Sequence, residues 1–116
     1  MLVEVDHSSR VALAEQIAAS VRRALAEGKL RKGERLPSAR ALAQALEVNM
    51  HTVLRGYQIL REEKLIDLRP GRGAVVSAAT ANRAVAVEAC RYFVRLARES
   101  GFSDAEILGM VEETME

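Results

Sequence analysis

Little in this sequence can do covalent chemistry. Its 116 residues include one cysteine, two histidines, two prolines, no tryptophan, and only two tyrosines and two phenylalanines. The single cysteine, Cys90, excludes an intrachain disulfide and, with no second thiol nearby, a thiolate zinc site. A reducing cytoplasm is its expected setting. His7 and His51 stand in unrelated contexts, and no spacing of His, Cys, Asp and Glu suits a metal ion. Gly71-Arg72-Gly73 is too short for a nucleotide loop, and no glycine-rich turn leads from a strand into a helix. No enzyme, metal or cofactor is expected. No apolar run approaches the roughly 20 residues that cross a membrane, and the first residues carry no signal-peptide pattern. Cys90 reads as a small buried or interfacial residue. Glu62-Glu63 and Glu112-Glu113 read as solvated pairs on exposed helix faces.

What is present is aliphatic. Hydrophobic residues make up 49% of the chain, so a core of Ala, Leu, Val and Ile is expected, and such a composition suits helices. The length fits one domain, or a small domain with an appendage. A net charge of +1 conceals a division: residues 1–77 hold 13 Lys and Arg against 9 Asp and Glu, residues 78–116 hold 4 against 7. The basic part is the one that can meet a polyanion.

The pattern along the chain predicts mostly helices. Residues 2–5 alternate and suggest a short edge strand. Over residues 10–27, Leu13, Ile17, Val21 and Leu25 recur every four positions along one helix face, and Gly28 ends it. A polar connector reaches Leu36-Pro37, which must be extended. Ser38 caps a second helix over 39–46 with Leu42 and Leu46 inward, and Asn49 caps a third reaching about residue 63 with Val53, Tyr57 and Leu60 inward. Residues 65–68 and 74–76 read as antiparallel strands around a type II turn at Pro70-Gly71. Residues 77–80 read as a linker. Residues 81–99 form a long helix broken at Gly101, and Ser103 with Glu106 makes a capping box for a last helix.

Two short helices, a tight turn and a basic hairpin form the layout of a winged helix-turn-helix, which fits duplex DNA. At the start of the third helix, Asn49, His51 and Thr52 can donate to phosphates or base edges, and the helix dipole adds positive potential. Arg55 lies one turn on, where it can grip guanine or a phosphate. Met50, Leu54 and Gln58 share that outer side. Ser38 and Arg40 open the second helix, Ser38 as cap and phosphate contact. Arg69, Gly71, Arg72 and Gly73 form the hairpin tip. There the glycines let backbone amides approach a phosphate, and Arg72 can enter a narrow minor groove.

Leu36-Pro37-Ser38-Ala39-Arg40-Ala41-Leu42-Ala43, Val48 through Val53 and Pro70-Gly71-Arg72-Gly73 resemble the N-terminal domain of GntR-type bacterial transcription regulators. Gln16-Ile17-Ala18 and residues 28–36 extend the likeness over roughly residues 8–77. Arg55-Gly56-Tyr57 and the segment from Gly101 to Leu108 resemble the YtrA subfamily. The resemblance implies a cytoplasmic homodimer on an inverted-repeat operator, usually a repressor. It puts the DNA contacts on Ser38, Arg40, Asn49, His51, Thr52, Arg55, Gly71, Arg72 and Gly73. Glu47 and Lys64 occupy positions where such proteins commonly have glycine, and the resemblance carries no base contact to Met50 or Leu54.

The expected fold is mainly α with a small β-hairpin. A winged helix-turn-helix DNA-binding domain over 1–77 precedes a two-helix dimerisation segment over 78–116. That segment carries more apolar surface than a lone helical hairpin can cover. Val85, Ala89, Tyr92, Phe93, Leu96, Ile107, Leu108, Val111 and Met115 are therefore expected in a two-fold interface. About forty residues cannot enclose a typical pocket of roughly 300–1,000 Å³, which leaves the subunit interface for any small-molecule effector. The runner-up function is a winged-helix protein-interaction module that does not bind DNA. A more distant reading, a fragment once fused to an aminotransferase-like domain, fits the capped and amphipathic last helix poorly.

Overall fold

Three helices, a hairpin and two further helices follow one another in the computed structural model, which describes residues 3–77 and 81–116. They are α1 (Leu13–Ala26), α2 (Ala39–Leu46), α3 (Met50–Glu62), β1 (Ile66–Arg69), β2 (Gly73–Val76), α4 (Ala81–Glu99) and α5 (Asp104–Thr114). Past Ser77, the expected linker lies outside the described residues.

Residues 3–5 form no strand, contrary to the alternation. Instead the Ser20 hydroxyl donates to the Glu4 carbonyl at 3.1 Å, and Val3 is buried in the core. The first helix starts at Leu13, three residues late. Asp6 and Ser9 explain the delay: the Ser9 N–H donates to the Asp6 carbonyl, and the Val11 N–H to the Ser9 hydroxyl. Such local bonds compete with helix formation. Ile17, Val21 and Leu25 are fully buried as their spacing requires.

The two helices of the turn begin as their caps predict. The Ser38 hydroxyl accepts from the Ala41 N–H at 3.1 Å, and Asn49 Oδ1 from the His51 N–H at 2.7 Å. Tyr57 is buried, and its hydroxyl donates to the Pro37 carbonyl at 2.7 Å, tying α3 to the start of α2. Burial pushes that phenol well above its ordinary range, so it remains a donor at all working pH. Gly56 makes the α1–α3 crossing close. A Cβ there would lie 3.0 Å from Ile17 Cγ2 and 3.1 Å from the Ala14 carbonyl oxygen.

Four helices stop in one way. After α1 the Lys29 N–H reaches the Ala24 carbonyl, after α2 Val48 reaches Ala43, after α3 Leu65 reaches Leu60, and after α4 Phe102 reaches Ala97. This is the Schellman arrangement, in which the residue past the helix is left-handed. Gly28 (φ +75°) and Gly101 (φ +93°) supply it at two ends, but Glu47 (φ +56°) and Lys64 (φ +63°) do so at the others. Leu65, spent on the stop, is fully buried, and this shifts β1 one residue later than expected. In the hairpin, Ile66 faces Val76 and Arg69 faces Gly73. The Arg72 N–H donates to the Arg69 carbonyl at 3.0 Å across Gly71 (φ +75°), which fits the predicted type II turn.

The long helix α4 packs against α1, and Ala84 joins the common core. Here the reading of Glu63 as solvated fails. Its carboxylate takes two bonds from the buried Arg22, Nε to Oε1 at 2.6 Å and Nη2 to Oε2 at 2.9 Å. Arg91 of α4 donates to Glu63 Oε2 at 3.1 Å and to Glu15 at 2.6 Å, and Arg83 Nε donates to the Glu63 carbonyl. Of the two readings of Cys90, burial within the chain fails, since it is exposed on α4. Helix α5 begins with the expected capping box and folds back on α4 through Ile107, which is 5% exposed, and an Arg98–Asp104 pair. Bonds from the Ser103 backbone and hydroxyl hold the Glu106 carboxyl below its ordinary range.

A left-handed φ costs an L side chain about 1–2 kcal/mol. Glu47→Gly and Lys64→Gly are each expected to raise stability by about 0.5–1 kcal/mol, once the greater unfolded-state freedom of glycine is subtracted. A urea titration reads this as a higher midpoint with an unchanged slope. A lower midpoint would show that the Glu47 or Lys64 side chain contributes more than its backbone strain costs.

Candidate nucleic-acid interface

The turn between α2 and α3 leaves one side of α3 uncovered. His51 and Arg55 are exposed there, with Met50 at 37% and Leu54 at 43% exposure. Thr52 is half-buried, as expected of a residue between the faces. Asn49 spends its carbonyl oxygen on the cap and keeps its amide group outward. His51, Thr52 and Arg55 line an open cleft of about 400 Å³ with Ala12, Leu13 and Ala14 at the start of α1. Ser38 and Arg40 are exposed at the head of α2.

The hairpin tip is exposed from Leu68 to Gly73. Open space surrounds the positions a Cβ would take at Gly71 and Gly73. Both have positive φ, so backbone geometry rather than crowding calls for glycine there. Among the described residues, Arg40, Arg55 and Arg72 have no carboxylate within ion-pair reach. Arg69 differs: its Nη2 lies 3.5 Å from Asp67 Oδ2, two residues back on the same face of β1.

One residue of this surface was not foreseen. The connector before α2 runs beside β2. Gly33 and Leu36 donate to the carbonyls of Val76 and Ala74, the Val76 N–H returns to Glu34, and Arg35 bridges Val75. This places Arg35 at the wing, where its Nε donates to the Arg72 carbonyl at 3.0 Å. The extended geometry imposed by Pro37 was the available signal, but it does not name the strand the connector meets.

The tail has a different character. Tyr92 is 58%, Val85 52%, Leu96 48%, Leu108 65% and Met115 74% exposed, while Val111 is at 39%, Phe93 is half-buried and Ala89 is exposed. An open groove of about 430 Å³ lies among Phe93, Met110, Val111 and Met115. Ile107 departs from the expected interface set, since it is already covered within the chain.

The family described as "Bacterial regulatory proteins, gntR family" matches residues 13–76. Over 76 residues the chain is 32% identical to the HTH-type transcriptional repressor YtrA of Bacillus subtilis (strain 168), covering 66% of this chain and 58% of that one. The chain thus spans little more than half the length of this relative. YtrA from Sulfolobus acidocaldarius, described as a GntR-family transcription factor, superposes with a TM-score of 0.63 at 32% identity. That match covers 81% of this chain and 99% of the other. S. agalactiae BusR, solved in complex with its busA-promotor DNA, gives a TM-score of 0.57 at 25% identity, over 87% of this chain and 46% of that one.

Asp67 sets a measurable limit on the basic surface. An exposed pair of this kind adds little stability, but its carboxylate competes with phosphate for Arg69 and repels a polyanion. Asp67→Asn is expected to tighten binding to duplex DNA several-fold at about 0.1 M salt, where charges within about 10 Å still interact. Equal or weaker binding in a fluorescence-anisotropy titration would put Arg69 outside the contact surface.

Proposed function

Since the chain belongs to the GntR family of bacterial regulatory proteins, in its YtrA subfamily, we propose that it is a transcription regulator that binds an inverted-repeat operator as a homodimer and acts as a repressor. The observation that carries this reading is the uncovered side of α3, flanked by arginines without counter-charges on α2 and at the wing tip. Helix α3 would lie in the major groove. Arg55 has the fork that matches guanine O6 and N7, Asn49 and His51 can meet a phosphate or base at the positive end of the helix, and exposed Met50 and Leu54 can touch thymine methyl groups. Ser38, Arg40 and Thr52 would contact the DNA backbone. Arg72, with Gly71 and Gly73, would reach the adjoining backbone or minor groove. Arg69 joins them when it leaves Asp67.

The homodimer reading rests on the exposed apolar side of α4 and α5. A second copy laid on Val85, Ala89, Tyr92, Phe93, Leu96, Leu108, Val111 and Met115 would remove this surface from water. Two-fold symmetry would then present two α3 helices to half-sites about one helical turn apart, roughly 34 Å. The proposed division of labour, DNA binding by residues 1–77 and dimerisation by 78–116, does not require separate cores, since Ala84 belongs to the same core as the buried residues of α1 and α3. A small-molecule effector would sit between subunits, beside the open groove of α4 and α5.

Selection of genomic fragments by the purified protein, followed by footprinting, tests the function directly. On the operator so obtained, Arg55→Ala is expected to narrow the preference over random DNA by roughly 1–3 kcal/mol, the worth of one bidentate base contact. Equal weakening on both DNAs would reassign Arg55 to phosphate positioning. Leu108→Asp should give a folded monomer at micromolar concentration, because Leu108 is 65% exposed in the single chain. A sedimentation profile identical to that of the unmodified dimer would move the interface elsewhere.

A further inference from the structure

We propose that Arg35 is a positioning residue for the wing, fixing the Arg72 backbone so that the Arg72 side chain is aimed at DNA before binding. The inference rests on the DNA-binding reading above. Three observations meet at this residue. The connector is bonded along the outer edge of β2 by the Gly33, Leu36 and Val76 amides, so the Cα of Arg35 is held beside Val75. The Arg35 side chain then extends toward the tip, and its Nε donates to the Arg72 carbonyl at 3.0 Å. Arg72 itself belongs to neither strand and lies between two glycines of positive φ. Glycine has the widest conformational range of any residue, so a tip built this way needs an outside tether to hold one arrangement. A tether paid for on folding spares ordering entropy at binding.

The chemistry separates this role from that of an added positive charge. Arg35 spends its Nε on the wing, and that atom is the fourth along the side chain from Cβ. In glutamine the amide nitrogen occupies the same place without the charge. In lysine that place is taken by carbon, and the charge sits one atom further out. Arg35→Gln therefore keeps the tether and loses the charge, whereas Arg35→Lys keeps the charge and displaces the donor.

The test uses the full chain and a random-sequence duplex of about 30 base pairs, at about 0.15 M salt, where the screening length is roughly 8 Å. Arg35→Ala and Arg35→Lys are each expected to weaken binding about fivefold, the fold-change equivalent to one ordinary hydrogen bond. Arg35→Gln should stay within about twofold of the unmodified protein, a smaller loss than one ordinary hydrogen bond. In an Arg72→Ala background, Arg35→Ala should add no further loss. Amide exchange at Arg69, Gly71, Arg72 and Gly73 in the free protein should quicken in Arg35→Ala and not in Arg35→Gln. The proposal is overturned if Arg35→Lys retains full affinity while Arg35→Gln loses as much as Arg35→Ala. It is equally overturned if the Arg35 and Arg72 losses multiply independently, or if tip exchange is the same in all variants. An unmodified protein that binds no duplex would instead remove the DNA-binding reading, and the exchange data would still decide whether Arg35 tethers the wing.

Discussion

The arrangement of the helices depends on one buried ion pair, Arg22 with Glu63. Arg22 is 2% exposed, and both oxygens of Glu63 are engaged with its guanidinium. Two charges withdrawn from water gain little net stability from each other. Removing Glu63 alone would leave the buried Arg22 guanidinium only the more distant carboxylates of Glu88 at 3.8 Å and Glu15 at 4.0 Å, and breaking a buried pair in this way costs on the order of 3–5 kcal/mol. The pair therefore acts more as a specification than as a source of stability. Any packing of α1 against α3 that separates these groups is penalised heavily. Glu63 stands immediately after α3, and the same residue receives Arg91 and Arg83 from α4. The end of α3 and the start of the tail are thus held by one carboxylate and its own carbonyl.

How well the sequence announces each part follows from the range of the interaction responsible. Helix α2 has the predicted bounds because the caps on either side of it, Ser38 before α2 and Asn49 before α3, are local signals. Helix α1 begins late because Asp6 and Ser9 form bonds that the apolar periodicity does not register. Strand β1 is displaced by one position because a helix stop consumed Leu65. Glu63 looked like one of two solvated glutamates because its partner, Arg22, is 41 residues away in sequence. Its twin Glu62 is exposed as expected. The residues of the candidate interface were legible almost entirely, since they follow helix periodicity and turn chemistry. Arg35 was not, because its place depends on which strand the connector lies beside, and the Asp67–Arg69 pair was missed although both residues share one face of β1.

The candidate interface is sparing in charge. The basic excess of residues 1–77 is small, and part of it is spent internally on Arg22 and part on Asp67. What remains outward is a few arginines among exposed Met50, Leu54 and the polar start of α3. A surface of this kind gains modestly from non-specific attraction to phosphate. On the proposed reading it relies more on the fit of α3 to base edges, where apolar groups and single forked contacts would carry the discrimination.

Gly56 has a consequence for how such a surface can change over time. The close crossing of α1 and α3 is set where a side chain is missing, with the Ile17 side chain and the Ala14 carbonyl standing in the space a Cβ of residue 56 would need. The tilt of α3 is thereby referred to the inner side of α1, which substitutions on the outer side of α3 leave in place. Exchanges at Met50, His51, Leu54 or Arg55 rewrite what the helix presents without altering the angle at which it is presented. A lineage built on this crossing can acquire new DNA addresses one outward residue at a time, while inheriting its mode of approach intact.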